Sequence, residues 1–305
     1  MLGPPPLCGK APLSVLIPAR NERLNIVSAV DSVKWADEIW VVDSHSDDGT
    51  SQIASLAGAE VVQFDYRGRG PKKKNWALDN LSFRNEWILI LDADERVTPA
   101  LEKEVRQAIA SPTADGYFLD RDYIFLGRSL RSFRPNWNLR LFRHHLGRYE
   151  QLATNAAFTG DNEVHEHIVL KGNVGYLHSP LVHDDGRPLR AWIENHNRYS
   201  EWEAEVYRQL QNEPIGLNRI FSLDSVWRRR VLKRLWVRLP FRPFARFVVF
   251  YILRRGFLDG RQGLWYAALM GYYEFLISLK LYERRKGPSA RLPETTPDLA
   301  EQTST

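Results

Sequence analysis

The residues that decide the fold are Trp87 to Glu95, WILILDADE, an apolar run that ends in two aspartates two positions apart. An unbroken apolar run is typical of a strand that is buried on both faces of a parallel sheet. Asp92 and Asp94 then lie just after the end of a rigid strand. Carboxylate oxygens are the ligands that Mg²⁺ and Mn²⁺ prefer. The alternative is a pair of solvated acids at the start of a loop.

Strand and helix signals alternate along the first hundred residues. Short apolar stretches predict strands, and apolar side chains at helical spacing predict the helices between them. The predicted strands are 13–17, 38–42, 60–64 and 87–91, and the predicted helices are 24–33, 50–57 and 73–81. The alternation predicts an α/β fold with a Rossmann-like, mostly parallel sheet flanked by helices. Such a sheet binds ligands at the carboxyl ends of its strands.

The pattern changes after the fourth strand. The Thr-Pro pair at 98–99 is an N-cap followed by a first-turn proline, so it predicts a helix that runs to about residue 110. Residues 117–125 and 139–142 predict strands of a mixed or antiparallel part. Residues 188–209 predict one long helix.

A chain of 305 residues suits one large domain with an appendage. The sequence predicts a flexible N-terminal arm without a signal peptide, a catalytic domain, a basic-aromatic helical region and a disordered tail. These segments cover residues 1–12, 13–215, 216–286 and 287–305. Cys8 is the only cysteine, which excludes an intramolecular disulfide. No apolar run approaches the ~20 residues that a spanning helix needs.

Positive charge is concentrated in one segment. The total is +5, but residues 225–258 contain ten Arg or Lys and no Asp or Glu, so the rest of the chain carries −5. A nucleic-acid-binding protein more often spreads basic residues over its binding face, so no nucleic-acid partner is expected. Aromatic residues interleave with the ten basic ones, and an apolar stripe at helical spacing follows. The stripe consists of Trp265, Leu269, Tyr272, Leu276 and Leu279.

Basic, aromatic and amphipathic segments lie in the headgroup region of a membrane. We therefore expect residues 216–286 to rest on an anionic membrane surface, with the protein peripheral on the cytoplasmic face of the inner membrane. A helical subdomain packed on the catalytic domain and a dimer interface are the alternatives. A membrane surface would also give the protein access to a lipid-linked partner.

Three polar clusters follow predicted strands, and their carboxyl ends should meet at one edge of the sheet. Glu22 follows the first strand, Asp43 ends the second, and the pair Asp92 and Asp94, a DXD motif, follows the fourth. Asp43 is placed to accept hydrogen bonds from a base or ribose, although a turn acid that caps the next helix is the alternative. Glu22 has a second interpretation as a capping-box acid.

These clusters carry a resemblance to a known family. The three stretches SVLIPARNE, VVDSHSDDGT and ILDADE, in this order, resemble the family 2 inverting glycosyltransferases, whose catalytic domain has the GT-A fold. Two further stretches, GRGPKKKNWAL and NEVHEHI, are similar to the branch of bacterial lipopolysaccharide-core and exopolysaccharide glycosyltransferases. SVLIPARNE begins at residue 14, VVDSHSDDGT at residue 41 and ILDADE at residue 90. GRGPKKKNWAL begins at residue 68 and NEVHEHI at residue 162. The resemblance covers about residues 13–286.

The resemblance implies a nucleotide-sugar donor, commonly a UDP-sugar, and a lipid-linked or saccharide acceptor. The residues implied to line the donor site are Pro18, Arg20, Glu22, Asp43, Lys74, Asn75 and Asp92. Asp43 would read the base and Asp92 would lie near the ribose and diphosphate. Asp94 would ligate Mg²⁺ or Mn²⁺, with Asp92, His165 and His167 as further candidate ligands. The QxxRW motif of the processive polymer synthases is absent, which predicts transfer of a single sugar.

A departing nucleoside diphosphate builds negative charge that a divalent cation neutralises, and a carboxylate must take the proton of the acceptor hydroxyl. A single displacement then inverts the anomeric centre. The candidate base is Glu166, which stands between His165 and His167. In an extended segment Glu166 would face away from both histidines. Either Glu166 enters the site, or the histidines enter as metal or diphosphate ligands, or the segment is a surface loop.

Arg140 and Arg143 are candidate phosphate ligands because the guanidinium group is a planar, multi-donor fork. Three-residue spacing on a strand puts them on opposite faces, and we assign Arg140 to the donor site. His183 is predicted to be structural. Two other enzyme classes remain as alternatives: a metal hydrolase using histidines and Asp184, and a nucleotidyltransferase, although residues 18–23 lack glycine. A non-catalytic lipid- or glycan-binding protein is the third.

Overall fold

The computed structural model describes residues 9–66, 71–150, 167–215 and 225–286. A single nine-stranded sheet forms the centre, with the strand order β3-β2-β1-β4-β8-β6-β11-β5 and the short β7 paired with β6. The first four strands in this order are β3 (Glu60–Gln63), β2 (Ala36–Asp43), β1 (Ala11–Ala19) and β4 (Trp87–Ile90). They pair in parallel, as the strand–helix alternation predicted.

The second half of the sheet is mixed. Its strands are β5 (Glu95–Val97), β6 (Gly116–Phe125), β7 (Arg128–Ser129), β8 (Trp137–Arg143) and β11 (Val174–His183). β8 is antiparallel to both β4 and β6, whereas β11 is parallel to β6 and antiparallel to β5. A separate two-stranded sheet pairs β9 (Gly147–Tyr149) with β10 (Ile168–Leu170). The sheet and its helices confirm the predicted α/β fold class.

Helices cover both faces of the parallel half. These helices are α1 (Ile26–Asp31), α2 (Thr50–Leu56), α3 (Lys73–Asn80) and α4 (Pro99–Ala110). α1, α2 and α4 bury one face of the sheet in the larger core cluster, which includes Leu13, Ile17 and Leu89. α3 covers the opposite face, where Ala77 and Leu78 pack beside Ile88 and Ile90. WILI is buried at every position, which explains why this strand shows no alternation of apolar and polar residues.

A helical region follows the sheet. It contains α5 (Leu189–Asn212), α6 (Ser225–Trp236), α7 (Arg242–Val248), a short π-helix (Val249–Leu253) and α8 (Gly260–Lys286). Within the ranges given above, no helix is both long enough and apolar enough to cross a bilayer. The side chains of residues 225–230 and 286 lie outside the description.

Aromatic packing joins this helical region to the sheet. Tyr266 of α8 makes edge-to-face contacts with Phe125 and Phe133, at centroid distances of 5.2 and 4.5 Å. The buried carboxylate of Asp259, just before α8, accepts hydrogen bonds from the backbone N–H groups of Arg131 (3.1 Å) and Ser132 (2.9 Å). The helices are therefore attached to the strand β6 and to the loop that follows it.

The start of α4 offers a test of local energetics. Thr98 Oγ1 accepts a hydrogen bond from the N–H of Leu101 (3.1 Å) and donates to the carbonyl of Pro180 (3.1 Å). We expect Thr98→Ala to lower the free energy of unfolding by about 1–2 kcal/mol, because an N-cap is lost. Thermal denaturation measures the change. Ser111→Ala at the other end of α4, where the side chain caps nothing, is the control, and an equal Tm for both variants would contradict the capping role.

Candidate active site

Asp92 lies at the carboxyl end of β4 between two cations. Its Oδ1 accepts a hydrogen bond from Lys74 Nζ at 3.0 Å, and its Oδ2 accepts one from Arg140 Nη2. The same Nη2 donates to Glu95 Oε1 at 3.0 Å, and Glu95 Oε2 accepts from the N–H of Asp92 at 3.0 Å. Arg121 Nη1 lies 3.6 Å from Glu95. The arrangement joins two carboxylates and three cations in one network.

An irregularity of β8 places Arg140 in this network. The register slips between Tyr117 and Phe118: these neighbours on β6 pair with Leu141 and Leu139, so Arg140 is an extra residue on β8. A bulge of this kind redirects a side chain. Arg140 is buried and reaches the acids, whereas Arg143 pairs with the half-exposed Glu86. The sequence-based preference for Arg140 over Arg143 agrees with this placement.

The network shifts the pKa values of its two acids in opposite directions. Burial disfavours the charge of Asp92, but Arg140 and Lys74 outweigh this cost and hold the pKa of Asp92 well below its usual range. Glu95 is wholly buried, and burial raises its pKa despite the attraction of Arg140, because Asp92 adds a like charge. Asp92 is therefore ionised at neutral pH.

Asp94 faces a histidine from the far end of the sheet. His183, the last residue of β11, has Nδ1 3.3 Å from Asp94 Oδ1. Burial alone lowers the pKa of His183, but the Asp94 carboxylate reverses the shift and raises it. Several buried side-chain atoms of the described residues have no hydrogen-bond partner, and three of them, His183 Nδ1, Arg140 Nε and Arg121 Nε, lie in this site. Such groups are uncommon in folded proteins.

Asp94 and His183 suit a divalent cation that has only part of its coordination shell supplied by protein. A carboxylate and a neutral imidazole nitrogen are both ligands of Mn²⁺-type ions, and a cation between Asp94 and His183 Nδ1 would replace the proton that the two groups share. Within the described ranges, no three His, Cys, Asp or Glu side chains are grouped to hold a metal by themselves. The side chain of Asp184 pairs instead with Arg96. The residues thus fit a cation shared with a bound diphosphate.

Glu22 joins the same edge of the sheet through a second network. Its Oε1 lies 3.3 Å from Arg187 Nη1, and its Oε2 accepts a hydrogen bond from Asn25 Nδ2 at 2.8 Å. Arg187 also pairs with Asp185 at 2.7 Å. Burial raises the pKa of Glu22 to about 7; Arg187 and Asn25 oppose the rise, and the negative charge of Asp94 adds to it. Glu22 is therefore more than a helix-capping acid.

The raised pKa of Glu22 predicts a pH dependence. The folded state keeps this proton up to about pH 7, whereas the unfolded chain releases it near 4.5. Between these values the folded state binds more protons, so the free energy of unfolding falls as pH rises, by at most about 1.4 kcal/mol per unit. Glu22→Gln should remove this decline. Urea denaturation at several pH values measures it, with Asp47→Asn as the control for loss of an exposed acid.

If the Glu22→Gln and wild-type profiles run parallel from pH 4.5 to 7, the raised pKa is excluded.

Asp43 is occupied by its own loop. The carboxylate is buried and accepts hydrogen bonds from the N–H and hydroxyl of Ser46 and from the hydroxyl of Ser51. The bonds shape the turn that leads into α2. For Asp43 to contact a base, as the sequence analysis expects, one of these hydroxyl bonds has to be exchanged. The role of Asp43 as a direct ligand stays a prediction.

The lysines and amide of α3 divide their roles. Lys74 reaches Asp92 and also lies over the ring of Tyr149, 5.2 Å from its centroid. Asn75 makes two 2.8 Å hydrogen bonds with the backbone of Tyr149 and so fixes β9 to α3. Lys73 is buried and donates to the carbonyl of Ala19 at 2.7 Å. The structure thus brings Lys74 into the acidic network and uses Asn75 to hold a strand.

The remaining predicted residues lie at the edges of the site. Pro18 is half-buried near the end of β1, and Arg20 is exposed just beyond it. His167 is exposed, and its backbone forms hydrogen bonds with Glu150 at 2.9 and 3.1 Å. Glu166 and His165 lie outside the described residues. Their assignments as base and as candidate ligand stay predictions.

Sequence reasoning assigned no site role to Glu95, Arg121, Asp185 or Arg187, and it assigned His183 a structural one. His183 is the last residue of β11, and Asp185 and Arg187 follow it; the sequence of this strand, VGYLHSPLVH, is interrupted by glycine and proline and was not predicted. The available signal was the polar run HDDGR at 183–187 directly after an apolar pair. His183, predicted to be structural, lies 3.3 Å from Asp94 and stacks on Tyr123 at 4.8 Å.

The chain is similar to proteins of known sequence and structure. Residues 14–162 match the family described as Glycosyl transferase family 2. The chain is 30% identical to the lipopolysaccharide core biosynthesis glycosyltransferase LpsC of Rhizobium meliloti (strain 1021), over 90% of this chain and 93% of the relative. It is 26% identical to an uncharacterized glycosyltransferase of Rickettsia bellii, over 89% and 86%. It also resembles the structure of S. aureus TarS 1–349 with UDP-GlcNAc, at 17% identity and a TM-score of 0.41, over 90% and 92%.

Proposed function

The chain belongs to the family 2 glycosyltransferases, and from this premise we propose that it moves one sugar from a nucleotide-diphosphate sugar to a lipid-linked or saccharide acceptor. The donor is a UDP-sugar, and the anomeric centre is inverted in a single displacement. The acceptor belongs to lipopolysaccharide or exopolysaccharide biosynthesis. The similarity to LpsC over nearly the whole chain supports the acceptor class.

One observation carries the proposal: Asp92 and Asp94 lie at the carboxyl end of the buried β4 strand, beside Lys74, Arg140 and His183. An α/β sheet binds its ligands at this edge. The buried Nε of Arg140, which has no hydrogen-bond partner, points to a polar ligand that accepts a hydrogen bond from it. A diphosphate, which is rich in acceptor oxygens, satisfies this requirement.

In the proposed mechanism Asp94 and His183 would hold a Mg²⁺ or Mn²⁺ ion. Asp92 lies beside them at the carboxyl end of β4. The ion, when bound, supplies Lewis-acid stabilisation of the leaving diphosphate. Lys74 and Arg140 add fixed positive charge beside the same group, and their ion pairs with Asp92 keep them oriented. The acceptor hydroxyl gives its proton to a carboxylate, for which Glu166 remains the candidate.

The helical region contributes a membrane contact to the proposal. α8 buries one face, with Tyr266, Ile277 and Leu281, and exposes another. We call the exposed face the α8 ridge; its members Trp265, Tyr272, Phe275 and Leu279 are each 46–47% exposed. Three of these four belong to the stripe predicted from the sequence. Such a ridge, on a basic segment, supports peripheral attachment to the cytoplasmic face of the inner membrane.

A screen of nucleotide sugars tests the function. The purified chain is mixed with each donor and Mn²⁺ or Mg²⁺, and both donor cleavage and thermal stabilisation are scored. We expect one UDP-sugar to raise the Tm, because a ligand of the folded state stabilises it by mass action, and chelation to remove the donor cleavage. If no donor stabilises the protein or is cleaved, a non-catalytic role is favoured. Cleavage that depends on Zn²⁺ would favour a hydrolase.

A further inference from the structure

A cleft at the far end of the helical region is lined almost entirely by arginines and amides. It has a volume of about 600 Å³ and lies between the C-terminal ends of α5 and α8 and the segment after α6. Its lining residues are Arg208, Gln211, Asn212, Arg238, Arg284 and Arg285. We call it the arginine cleft. The proposed transfer reaction makes no use of it.

Two of its arginines keep their positive charge uncompensated. Arg238 donates to the backbone carbonyl oxygens of Arg234, Gln211 and Glu213, and Arg285 donates to the side-chain oxygen of Gln211. In the part of the chain that the structure describes, neither guanidinium pairs with a carboxylate. Neutral partners fix the orientation of both groups and leave their charge for an anion.

The other two arginines share acidic partners behind the cleft. Arg208 pairs with Glu205 at 2.7 Å, and Arg284 pairs with Glu205 and Glu201, both at 3.1 Å. Neither acid is among the residues that line the cleft. The cleft therefore presents several guanidinium groups and no carboxylate to a ligand, and guanidinium is the side chain that matches phosphate oxygens in pairs.

Exposed apolar side chains stand close in sequence to two of the lining arginines, and we call them the rim. Leu239 and Phe241, directly after Arg238, are 43% and 83% exposed. Tyr282 is 57% exposed and precedes Arg285 by three positions, which makes the two side chains neighbours on the surface of α8. Tyr282 also continues the α8 ridge, three residues after Leu279. An anion site bordered by exposed apolar groups matches the boundary between lipid headgroups and acyl chains.

We propose that the arginine cleft binds the phosphate of an anionic lipid headgroup, while the rim and the α8 ridge enter the interface. The proposal rests on the proposed membrane association and adds to it a defined headgroup site. Charge complementarity selects an anionic lipid over a zwitterionic one. The site holds the helical region at one orientation on the surface, which a diffuse basic patch would not do.

Sedimentation with vesicles tests the proposal. The full chain is mixed with phosphatidylcholine vesicles that contain or lack phosphatidylglycerol. The double variant Arg208→Gln/Arg285→Gln leaves Arg238 in place, since that residue holds backbone carbonyls. A basic residue at an anionic surface contributes about 1 kcal/mol, equal to about five-fold in affinity, so we expect the double variant to bind the anionic vesicles at least about ten-fold more weakly.

The matched control is Lys103→Gln/Lys171→Gln, which removes two exposed positive charges from the catalytic domain. The control should bind the vesicles like the wild type. Equal loss in both double variants would overturn the headgroup site in favour of unspecific attraction by net charge, and no loss in the arginine variant would overturn it as well.

Inorganic phosphate separates the two sources of the phosphate group. If millimolar phosphate fails to displace the protein from anionic vesicles, the site belongs to a lipid headgroup. If phosphate stabilises the free protein through Arg208 and Arg285 and also displaces it, the site belongs to a soluble phosphate and the lipid assignment is wrong.

Two further measurements separate the headgroup site from the proposed membrane contact and from the proposed transferase activity. Trp265→Ser/Phe275→Ser on the α8 ridge should weaken binding to both kinds of vesicle, and unchanged binding would refute the membrane contact. Thermal stabilisation by the donor should be the same in wild type and the arginine variant. If the wild type itself binds no donor, the transferase chemistry is refuted, whereas the proposed headgroup site is unaffected.

Discussion

Replacing Asp94 by alanine is expected to lower kcat at least about a thousand-fold. Stabilisation of a leaving diphosphate by a divalent ion is worth several kcal/mol, and each 1.36 kcal/mol is a factor of ten in rate. Asp94 lies 3.3 Å from His183 Nδ1, so its loss would remove one of the two ligands that the proposed mechanism assigns to the ion. Sugar transfer measured over a range of Mn²⁺ concentrations gives the effect on rate and on metal requirement.

The fold should survive this substitution. The side chain of Asp94 is 17% exposed, and its ion-pair partner is His183 within the site. Asp184→Ala is the matched control: this acid is adjacent to His183 but pairs with Arg96, so its removal should leave kcat within a few-fold of wild type. Metal-dependent turnover by Asp94→Ala at the wild-type rate would remove Asp94 from the metal site.

Arg140→Met should lower the free energy of unfolding by about 3–5 kcal/mol, the second large effect. Arg140 neutralises both Asp92 and Glu95, and its own side chain is only 7% exposed. Removing one partner of a buried ion pair leaves an uncompensated charge in a medium that solvates it poorly, which costs an amount of this order. Chemical denaturation at neutral pH measures the loss.

A second substitution checks the cause. Adding Glu95→Gln to Arg140→Met removes the buried group that most needs the arginine, so it should recover part of the lost stability. Arg143→Met, on the same strand, is the control, because Glu86 is 53% exposed and a solvated pair contributes at most about 1 kcal/mol. An Arg140→Met protein as stable as Arg143→Met would show that the acids are solvated in some other way.

Periodicity predicted the parallel half of the fold well, because each of its elements carries a pattern that is local in sequence. β1, β2 and β4 are buried apolar runs, and α4 begins at its predicted cap. β11 carries no such pattern: Gly175 approaches the ring of Tyr117 closely, and Pro180 lies where the register with β6 slips. A strand that is shaped by a close contact and a slip has no regular alternation to detect.

The candidate site divides in the same way. Asp92 and Asp94 could be predicted because they directly follow a strand that sequence alone identifies. The proximity of His183 to Asp94 could not be predicted, because it depends on the antiparallel pairing of β11 with β5. The bulge that aims Arg140 is equally invisible in sequence, because it depends on the register with β6. Long-range pairing of strands decides which polar residues meet, and one sequence does not contain that information.

The packing of Tyr266 against the sheet limits how far the C-terminus of this protein can be shortened. The ring of Tyr266 contacts Tyr123 at 5.4 Å, and Tyr123 in turn lies against His183. A fragment that stops at residue 215 would keep every acidic residue of the site. It would remove the ring of Tyr266 that packs against Tyr123 behind His183, and it would expose several aromatic side chains to water. Such a fragment should be prone to precipitate and poor at retaining Mn²⁺, so crystallisation and assay work should keep residues up to 286.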